Sequence, residues 1–375
     1  LTDFIVIGAG VSGLLLAREL LSAGARVSVL DKADAGREAS WAGGGIVSPL
    51  YPWRYSDPVT ALANYAQQAY PALVAELLAQ TGLDSQLLPC GLLMLDAEDH
   101  SEALTWAASH QRTMLALDTN AIYQQEPSIA AGSKRALWMP DVANIRNPRL
   151  LKALRASVLA CPEATLIEHC EVKAIDSAAG AVTQVQVTFN GDVKVLRADQ
   201  YVVTAGAWSG NLLAGLAAQP PVIRPVKGEM LLYQSHEPLL KSIVLSKGRY
   251  LIPRADNLIL AGSTLEHCGF DKLVSSQARQ SLALSAVGIL PALAAMPVVG
   301  HWAGLRPGAP AGVPYIGRIP GLHNLSVNAG HYRNGLVLAP ASARLMADIL
   351  LGKVPVIDPR PYDPARTRER DTVFS

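Results

Sequence analysis

The chain has 375 residues, with 32 lysines and arginines against 31 aspartates and glutamates, and 50 % of its residues are hydrophobic. That length allows two domains with substantial cores, and the near-zero net charge gives no electrostatic footprint for nucleic acid or an anionic membrane surface. The four cysteines, Cys90, Cys161, Cys170 and Cys268, show no CxxC or metal-type spacing, so isolated buried thiols in a reducing compartment, and no metal site, are expected.

The first 31 residues read as strand, glycine turn, helix, strand and acid. The apolar run Phe4-Ile5-Val6-Ile7 leads into Gly8-Ala9-Gly10-Val11-Ser12-Gly13, and a helix is expected over Leu14 to Ala23. A turn at Gly24 and a strand over Arg26 to Leu30 then end on Asp31. In such a unit Gly8 permits the tight turn, Gly10 lets backbone approach a pyrophosphate, and Gly13 lets helix pack on strand. The helix N-terminus offers unpaired N–H groups and the positive end of its dipole to phosphates. Asp31, 18 residues after Gly13, stands where an acid accepts hydrogen bonds from ribose. A lone GxGxxG is weak, but its flanks agree here, and dinucleotide binding is expected. Arg18, Glu19 and Arg26 interrupt the apolar stretch and no cleavage pattern follows, so neither a signal segment nor a membrane span is expected and the protein reads as soluble and cytoplasmic.

Farther along, a small-residue run extends from Ala39 to Gly45, and prolines 49, 52 and 58 mark irregular chain. The apolar spacing predicts helices over Thr60 to Gln80, Ser101 to Ala116 and Arg149 to Ala160, and a short strand over Gly91 to Leu95. From Thr165 the pattern turns to strands: Thr165 to Ile175, Thr183 to Phe189 and Val193 to Leu196, with Asn190-Gly191 as a hairpin turn. Further strands are expected over Gln200 to Thr204, Lys227 to Tyr233, Arg249 to Pro253, Leu258 to Ala261 and Leu325 to Asn328. Helices are expected over Gln277 to Ile289 and Pro340 to Leu351. No long linker or repeat separates these elements. The expected fold is therefore α/β, α+β overall: a Rossmann-like nucleotide-binding domain interleaved with a mostly antiparallel-sheet domain.

Two more clusters suggest a flat, redox-active ligand. Arg37 to Gly45 is too small-sided for a core helix and suits backbone lying against a ring or phosphate. Asn328 to Leu336 follows a strand and precedes a helix, so its backbone donors would stabilise negative charge on a reduced flavin near N1–C2=O.

With these stretches in place, the chain resembles the glycine oxidase and D-amino acid oxidase family of FAD-dependent amine oxidoreductases, most of all the glycine oxidases of thiamine biosynthesis. The matching stretches run in the family's order: Gly8 to Gly13, Glu38 to Gly45, Gly91 to Leu95, Thr204 to Ser209, Val226 to Glu229, Tyr250 to Arg254, Trp302 to Gly317 and Gly330 to Pro340. The resemblance implies non-covalent FAD, since no cysteine stands in the corresponding C-terminal motifs. Beside the glycines Gly8, Gly10 and Gly13, it implies that Val11, Ser12, Asp31 and Lys32 sit at the ADP moiety. Glu38, Ala39, Gly43, Gly44 and Gly45 would follow the flavin side, with Val172 at the adenine end. The backbone of His331, Tyr332, Arg333, Asn334, Gly335, Leu336 and Val337 would hold the isoalloxazine. Arg306 would clamp the substrate carboxylate as a bidentate fork, Tyr250 would donate a second hydrogen bond, and Arg333 would line the same pocket.

The implied activity is that of an amino acid oxidase. Glycine, sarcosine or a small D-amino acid would pass hydride to flavin N5, with oxygen as the final acceptor and no protein residue acting as acid or base. A dehydrogenase of the same family, delivering electrons to a quinone or other acceptor, stays open as the alternative. The implied division is an FAD-binding domain over 1–48, 145–215 and 305–375, with a substrate-binding domain over 49–144 and 216–304. A homo-oligomer is also implied. Gly248 stands where glycine oxidases can carry a histidine, and Trp41 and Gly45 replace smaller and larger residues beside the flavin, so an altered pocket is expected.

Overall fold

The strand Phe4–Ile7 sits at the centre of the molecule, and its alternating side chains are buried on both sides. The computed structural model of the chain describes residues 2–95 and 97–368. Phe4–Ile7 pairs in parallel with Val27–Leu30 on one flank and with Gln200–Val203 on the other. Ala164–Ile167 and Leu325–Ala329 extend the sheet in parallel, and Tyr315–Arg318 closes one edge antiparallel. A parallel sheet must be covered on both faces, and this one is. Phe4 and Val6 pack with the helices Val11–Ser22, Asp57–Thr81, Asn147–Leu159 and Gly335–Leu350. Ile5 and Ile7 pack with Val172, Ile175, Val185 and Val187 of a three-stranded antiparallel sheet, Cys170–Ala178, Ala181–Phe189 and Asp192–Leu196. Each of the fully buried leucines on the first helix, such as Leu14 and Leu16, contributes about 1.5–3 kcal/mol of transfer free energy.

The second large sheet has eight strands in the order Val298–Gly308, Arg224–Gln234, Leu258–Gly262, Arg249–Pro253, Ile243–Ser246, Leu92–Leu95, Arg135–Met139 and Leu115–Asp118. All its pairings are antiparallel except Ile243–Ser246 with Leu92–Leu95. The helix Ser276–Ile289 covers one face through Leu282, Ala286 and Ile289. The other face carries Met230, Tyr250 and Ile252. The mixed architecture expected from the sequence, a parallel nucleotide sheet interleaved with a mostly antiparallel one, is the one observed.

Several local expectations are corrected. The helix expected over Ser101 to Ala116 is the helix His100–Ser109 followed by the edge strand Leu115–Asp118. The strand expected over Thr165 to Ile175 is two strands in different sheets, Ala164–Ile167 and Cys170–Ala178, broken where His169 takes a φ of 55°. The strands Arg135–Met139 and Val298–Gly308 were not anticipated at all. Of the cysteines, all free, only Cys170 is buried; Cys90 and Cys161 are half-buried and Cys268 is exposed.

The last helix begins at Gly335 rather than Pro340, and Pro340 lies inside it. Proline has no N–H for the carbonyl four residues earlier, which here belongs to Leu336. The fully buried Tyr70, on the helix Asp57–Thr81, donates its hydroxyl to that carbonyl at 2.6 Å. Tyr70→Phe is expected to destabilise the protein by about 1–3 kcal/mol in urea unfolding. In a Pro340→Ala background, where residue 340 supplies the donor itself, the same change is expected to cost clearly less.

Candidate active site

Gly8 and Thr204 end the two neighbouring strands Phe4–Ile7 and Gln200–Val203, where the chain's crossovers diverge to opposite sides of the sheet. That switch point is where open parallel sheets bind nucleotides. Thr204 Oγ1 donates to the Gly8 carbonyl at 2.7 Å. Gly8 has a φ of +112°, and a Cβ on it would stand 2.6 Å from the Thr204 carbonyl oxygen. A Cβ on Gly13 would collide with the Gly8 carbonyl, so this glycine serves the packing of helix on turn. The first helix starts at Val11, whose N–H donates to the neutral Ser40 Oγ at 3.0 Å, and has no acid in its first turn. Its dipole end therefore faces the cavity without an internal counter-charge.

Asp31 turns one carboxylate oxygen to the Ala9 N–H at 2.8 Å and the other to the Ala33 N–H at 3.0 Å. It thus braces the glycine turn as well as bordering the cavity; burial raises its pKa, against the pull of these two bonds. Lys32 places its ammonium 3.1 Å from the centre of the Trp208 ring, a cation–π contact. Glu38 receives Lys272 at 3.0 Å on both oxygens.

Every residue assigned to cofactor or substrate from the sequence, apart from Gly13, lines one cavity of about 410 Å³. The glycine run forms its middle. Gly45, at a φ of +74°, lies so close to the Ile145 carbonyl that no side chain fits there. A Cβ on Gly44 would stand 2.9 Å from Ile252 Cδ1 and 3.3 Å from the Tyr250 ring. Arg254 secures this run: its guanidinium donates to Gly44 O at 2.8 Å, Ile145 O at 2.9 Å and Asn144 Oδ1 at 2.8 Å. Burial lowers the Arg254 pKa to about 10, which leaves it charged at neutral pH. Arg254 closes a motif noticed in the sequence, but only the fold shows what it grips.

At the far wall, the helix Gly335–Leu350 presents a second N-terminus, this one without a side-chain cap. The buried His331 ring meets Ser342 Oγ through Nε2 at 2.9 Å. Burial pulls its pKa down to about 4, so the imidazole is neutral. Asn147 Oδ1 and Asn328 Oδ1 are buried without a protein partner, and both residues line the cavity. Two helix N-termini free of acidic side chains in their first turns, joined by glycine backbone, suit a long ligand with phosphates at one end and a ring at the other, as FAD is.

Arg306, Tyr250 and Arg333 gather at the end remote from Gly8. Arg306 lies on the strand Val298–Gly308, whose Gly304 pairs with Gly228 of Arg224–Gln234. A Cβ on Gly228 would run into the Arg306 guanidinium, so this glycine makes the room. Arg306 donates to Lys227 O at 3.3 Å, Thr264 O at 3.2 Å and Ser263 Oγ at 2.7 Å. Burial depresses its pKa, opposed by the neighbouring Tyr250 oxygen. Tyr250 is buried and its hydroxyl donates to Met230 Sδ at 3.5 Å. Arg333 is exposed at the rim, 5.4 Å from the Tyr332 ring centre. Gly228, Met230, Ser263 and Thr264 carried no site assignment from the sequence. Gly228 lay inside the matching stretch Val226 to Glu229 but only the strand pairing shows its role; a Ser-Thr pair after a strand gave no signal.

The three departures resolve differently. Gly248 lines the cavity, but with Lys247 it forms a two-residue hairpin turn at φ values of 75° and 48°, the geometry that favours glycine. Gly45 is required by its contact with Ile145. Trp41 does not border the cavity; it packs edge-on against Trp302 at 5.4 Å.

Among the described residues no helix is long and apolar enough to cross a membrane. The family model described as DAO, FAD dependent oxidoreductase, matches residues 3–349. The chain is 53 % identical to a glycine oxidase of Pseudomonas putida over 360 residues, covering 96 % of this chain and 97 % of that one. A bifunctional protein ThiO/ThiG of a Nostoc species is 29 % identical over 355 residues, 93 % of this chain and 52 % of its own. The crystal structure of a glycine oxidase from Geobacillus kaustophilus superposes with a TM-score of 0.90 at 29 % identity, over 98 % of this chain and 99 % of that one. A family match over nearly the whole length, on a fold that carries this cavity, places the chain in the DAO family of FAD-dependent oxidoreductases, with FAD as its cofactor.

Proposed function

We propose that the chain oxidatively deaminates glycine, or a small amine or D-amino acid such as sarcosine, D-alanine or D-proline, with oxygen as final acceptor; glycine gives glyoxylate, ammonia and hydrogen peroxide. Arg306 carries this reading. It donates to two carbonyls and a hydroxyl, with the Tyr250 oxygen beside it, and among the described residues no carboxylate pairs with it. A desolvated guanidinium without a counter-charge is costly, and a carboxylate that takes both its N–H groups is the matching ligand. The glycine oxidase relatives support the amino acid as that carboxylate's bearer.

When bound, FAD supplies the two-electron acceptor that oxygen reoxidises. The chain's own part is binding and orientation. Arg306 would fix the carboxylate, and Tyr250 would exchange its weak bond to Met230 for one to a carboxylate oxygen. Arg333 at the rim adds positive potential along the entrance. His331 is neutral and faces Ser342, so it holds no proton for the substrate. Gly8, Gly10, Val11, Ser12, Asp31 and Lys32 would receive the ADP portion, with Val172 at the adenine. Glu38, Ala39, Gly43, Gly44, Gly45 and the backbone from His331 to Val337 would flank the flavin.

The same proposal divides the chain into an FAD-binding unit over 1–48, 145–215 and 305–375 and a substrate unit over 49–144 and 216–304. FAD is taken as non-covalent: the cavity's one lining cysteine, Cys170, is a buried neighbour of Val172, and none follows Cys268. A homo-oligomer rests on resemblance alone, and cytoplasmic placement on four free thiols. The ThiO/ThiG relative supports a place in thiamine thiazole biosynthesis.

The deciding test is anaerobic bleaching of the purified yellow protein by glycine, sarcosine, D-alanine, D-proline and L-amino acids, followed by peroxide assay under air. Bleaching by glycine or one of the small amines with stoichiometric peroxide is expected. Bleaching without peroxide, with rapid dye reduction, would instead assign an acceptor other than oxygen. Arg306→Ala is expected to raise the KM for glycine by about 100-fold, with flavin content unchanged by absorbance. Tyr250→Phe is expected to raise it by about 3- to 10-fold. Wild-type KM in Arg306→Ala would remove the carboxylate clamp.

A further inference from the structure

Lys227 and Glu229 flank Gly228 and point to the opposite side of the strand from the cavity. Glu229 is completely buried and Lys227 is 3 % exposed. A buried carboxylate with no catalytic contact calls for an explanation. Its oxygens meet Lys227 Nζ at 3.1 Å, His301 Nε2 at 2.7 Å and the Ser275 N–H at 3.2 Å. Ser275 caps the helix Ser276–Ile289, so Glu229 also sits at a helix N-terminus. Burial works against the Lys227 ammonium, but Glu229 and Glu266 outweigh it and hold its pKa up.

The segment from Ser263 to Ser275 joins the strand Leu258–Gly262 to that helix, and Glu229 ties it at both ends. At the start, the Glu229 N–H donates to Thr264 Oγ1 at 2.9 Å, and Thr264 Oγ1 donates to Glu266 at 2.8 Å. The Thr264 N–H donates to Glu229 O at 3.3 Å. At the finish, the Glu229 carboxylate holds the Ser275 N–H, and Lys227 Nζ donates to Leu273 O at 2.8 Å. The start of this segment is where Ser263 Oγ and Thr264 O accept from Arg306. Arg249 holds the Ser263 carbonyl from the other side.

We propose that Glu229 is a positioning residue for the substrate clamp: its backbone pairs with Thr264 at the start of the segment 263–275, its carboxylate fixes Ser275 and Lys227 at the finish, and together they set the place of the Ser263 and Thr264 oxygens that aim the Arg306 guanidinium. The proposal rests on Arg306 as the carboxylate site. Misplacement of the guanidinium would weaken every ligand that uses its carboxylate, with or without an amine. Glu229→Gln keeps the shape and removes the charge.

The test measures steady-state glycine oxidation together with the Kd of acetate, followed by perturbation of the bound flavin's absorbance in the holoenzyme. In Glu229→Gln both the KM for glycine and the Kd for acetate are expected to rise about 10-fold in step, with kcat within about threefold of wild type and full flavin content. Unchanged KM and acetate Kd, with only a lower melting temperature, would overturn the proposal and leave Glu229 a packing residue. Thr264→Val, which removes the hydroxyl joining Glu229 to the clamp, is expected to shift both constants the same way. It decides the matter if Glu229→Gln does not yield soluble holoenzyme. Arg306→Ala is run in parallel. If it leaves acetate binding intact the clamp itself is misassigned; if it abolishes binding while Glu229→Gln and Thr264→Val do not alter it, only the role of Glu229 falls.

Discussion

A half-buried guanidinium held by neutral oxygens, with no carboxylate on it among the described residues, is the constraint around which the Arg306 end of the cavity is arranged. Arg306 must be held firmly enough to stay in place without a counter-charge, yet no internal carboxylate may neutralise it. The neighbouring strands meet both demands. Gly228 gives up its side chain so that the guanidinium fits against the strand, and backbone carbonyls from Lys227 and Thr264 receive it. The acids of this region, Glu229 and Glu266, are kept on other partners, Lys227 and His301 among them. Charge of both signs is therefore present within a few residues, but neither of these acids lines the cavity.

The cofactor end relies on a different economy of charge. Two helices point N-termini without acidic caps toward the same cavity, one from each end of the chain. No acid neutralises either end; in the first helix the Val11 N–H donates to the neutral Ser40 Oγ at 3.0 Å, and both helices are held by packing. The first rests on the Gly8–Gly13 contact. The second contains Pro340, and Tyr70 from another helix restores the hydrogen bond that the proline removes. The positive helix ends and the arginine at the far end together bias the whole cavity toward anionic ligands.

Much of this was legible locally. The turn from Gly8 to Gly13 and the acid at Asp31 are contiguous, and their geometry follows from glycine positions and strand–helix periodicity. The small-residue run at Gly43 to Gly45 and the loop after Gly330 were read as backbone meant for a ligand, and both line the cavity. The strand Val298–Gly308 stayed hidden because Gly300, Gly304, Pro307 and Gly308 disguise its alternation. The edge strand Leu115–Asp118 lacks the burial that would give a period of two, since three of its four residues are exposed. Trp41 was read as a flavin neighbour, but its ring finds Trp302.

By itself the sequence determined the order of elements, the glycines that shape the nucleotide turn, and the family, because these depend on contacts between near neighbours or on motifs kept in order. Only the tertiary structure decided which atoms hold Arg306, what Arg254 grips, and that Glu229 binds both ends of one segment. Those facts hang on the pairing register of strands far apart in the chain. A shift of one residue would turn every side chain to the other face of the sheet, and no local pattern around Glu229 or Ser263 records which face it takes.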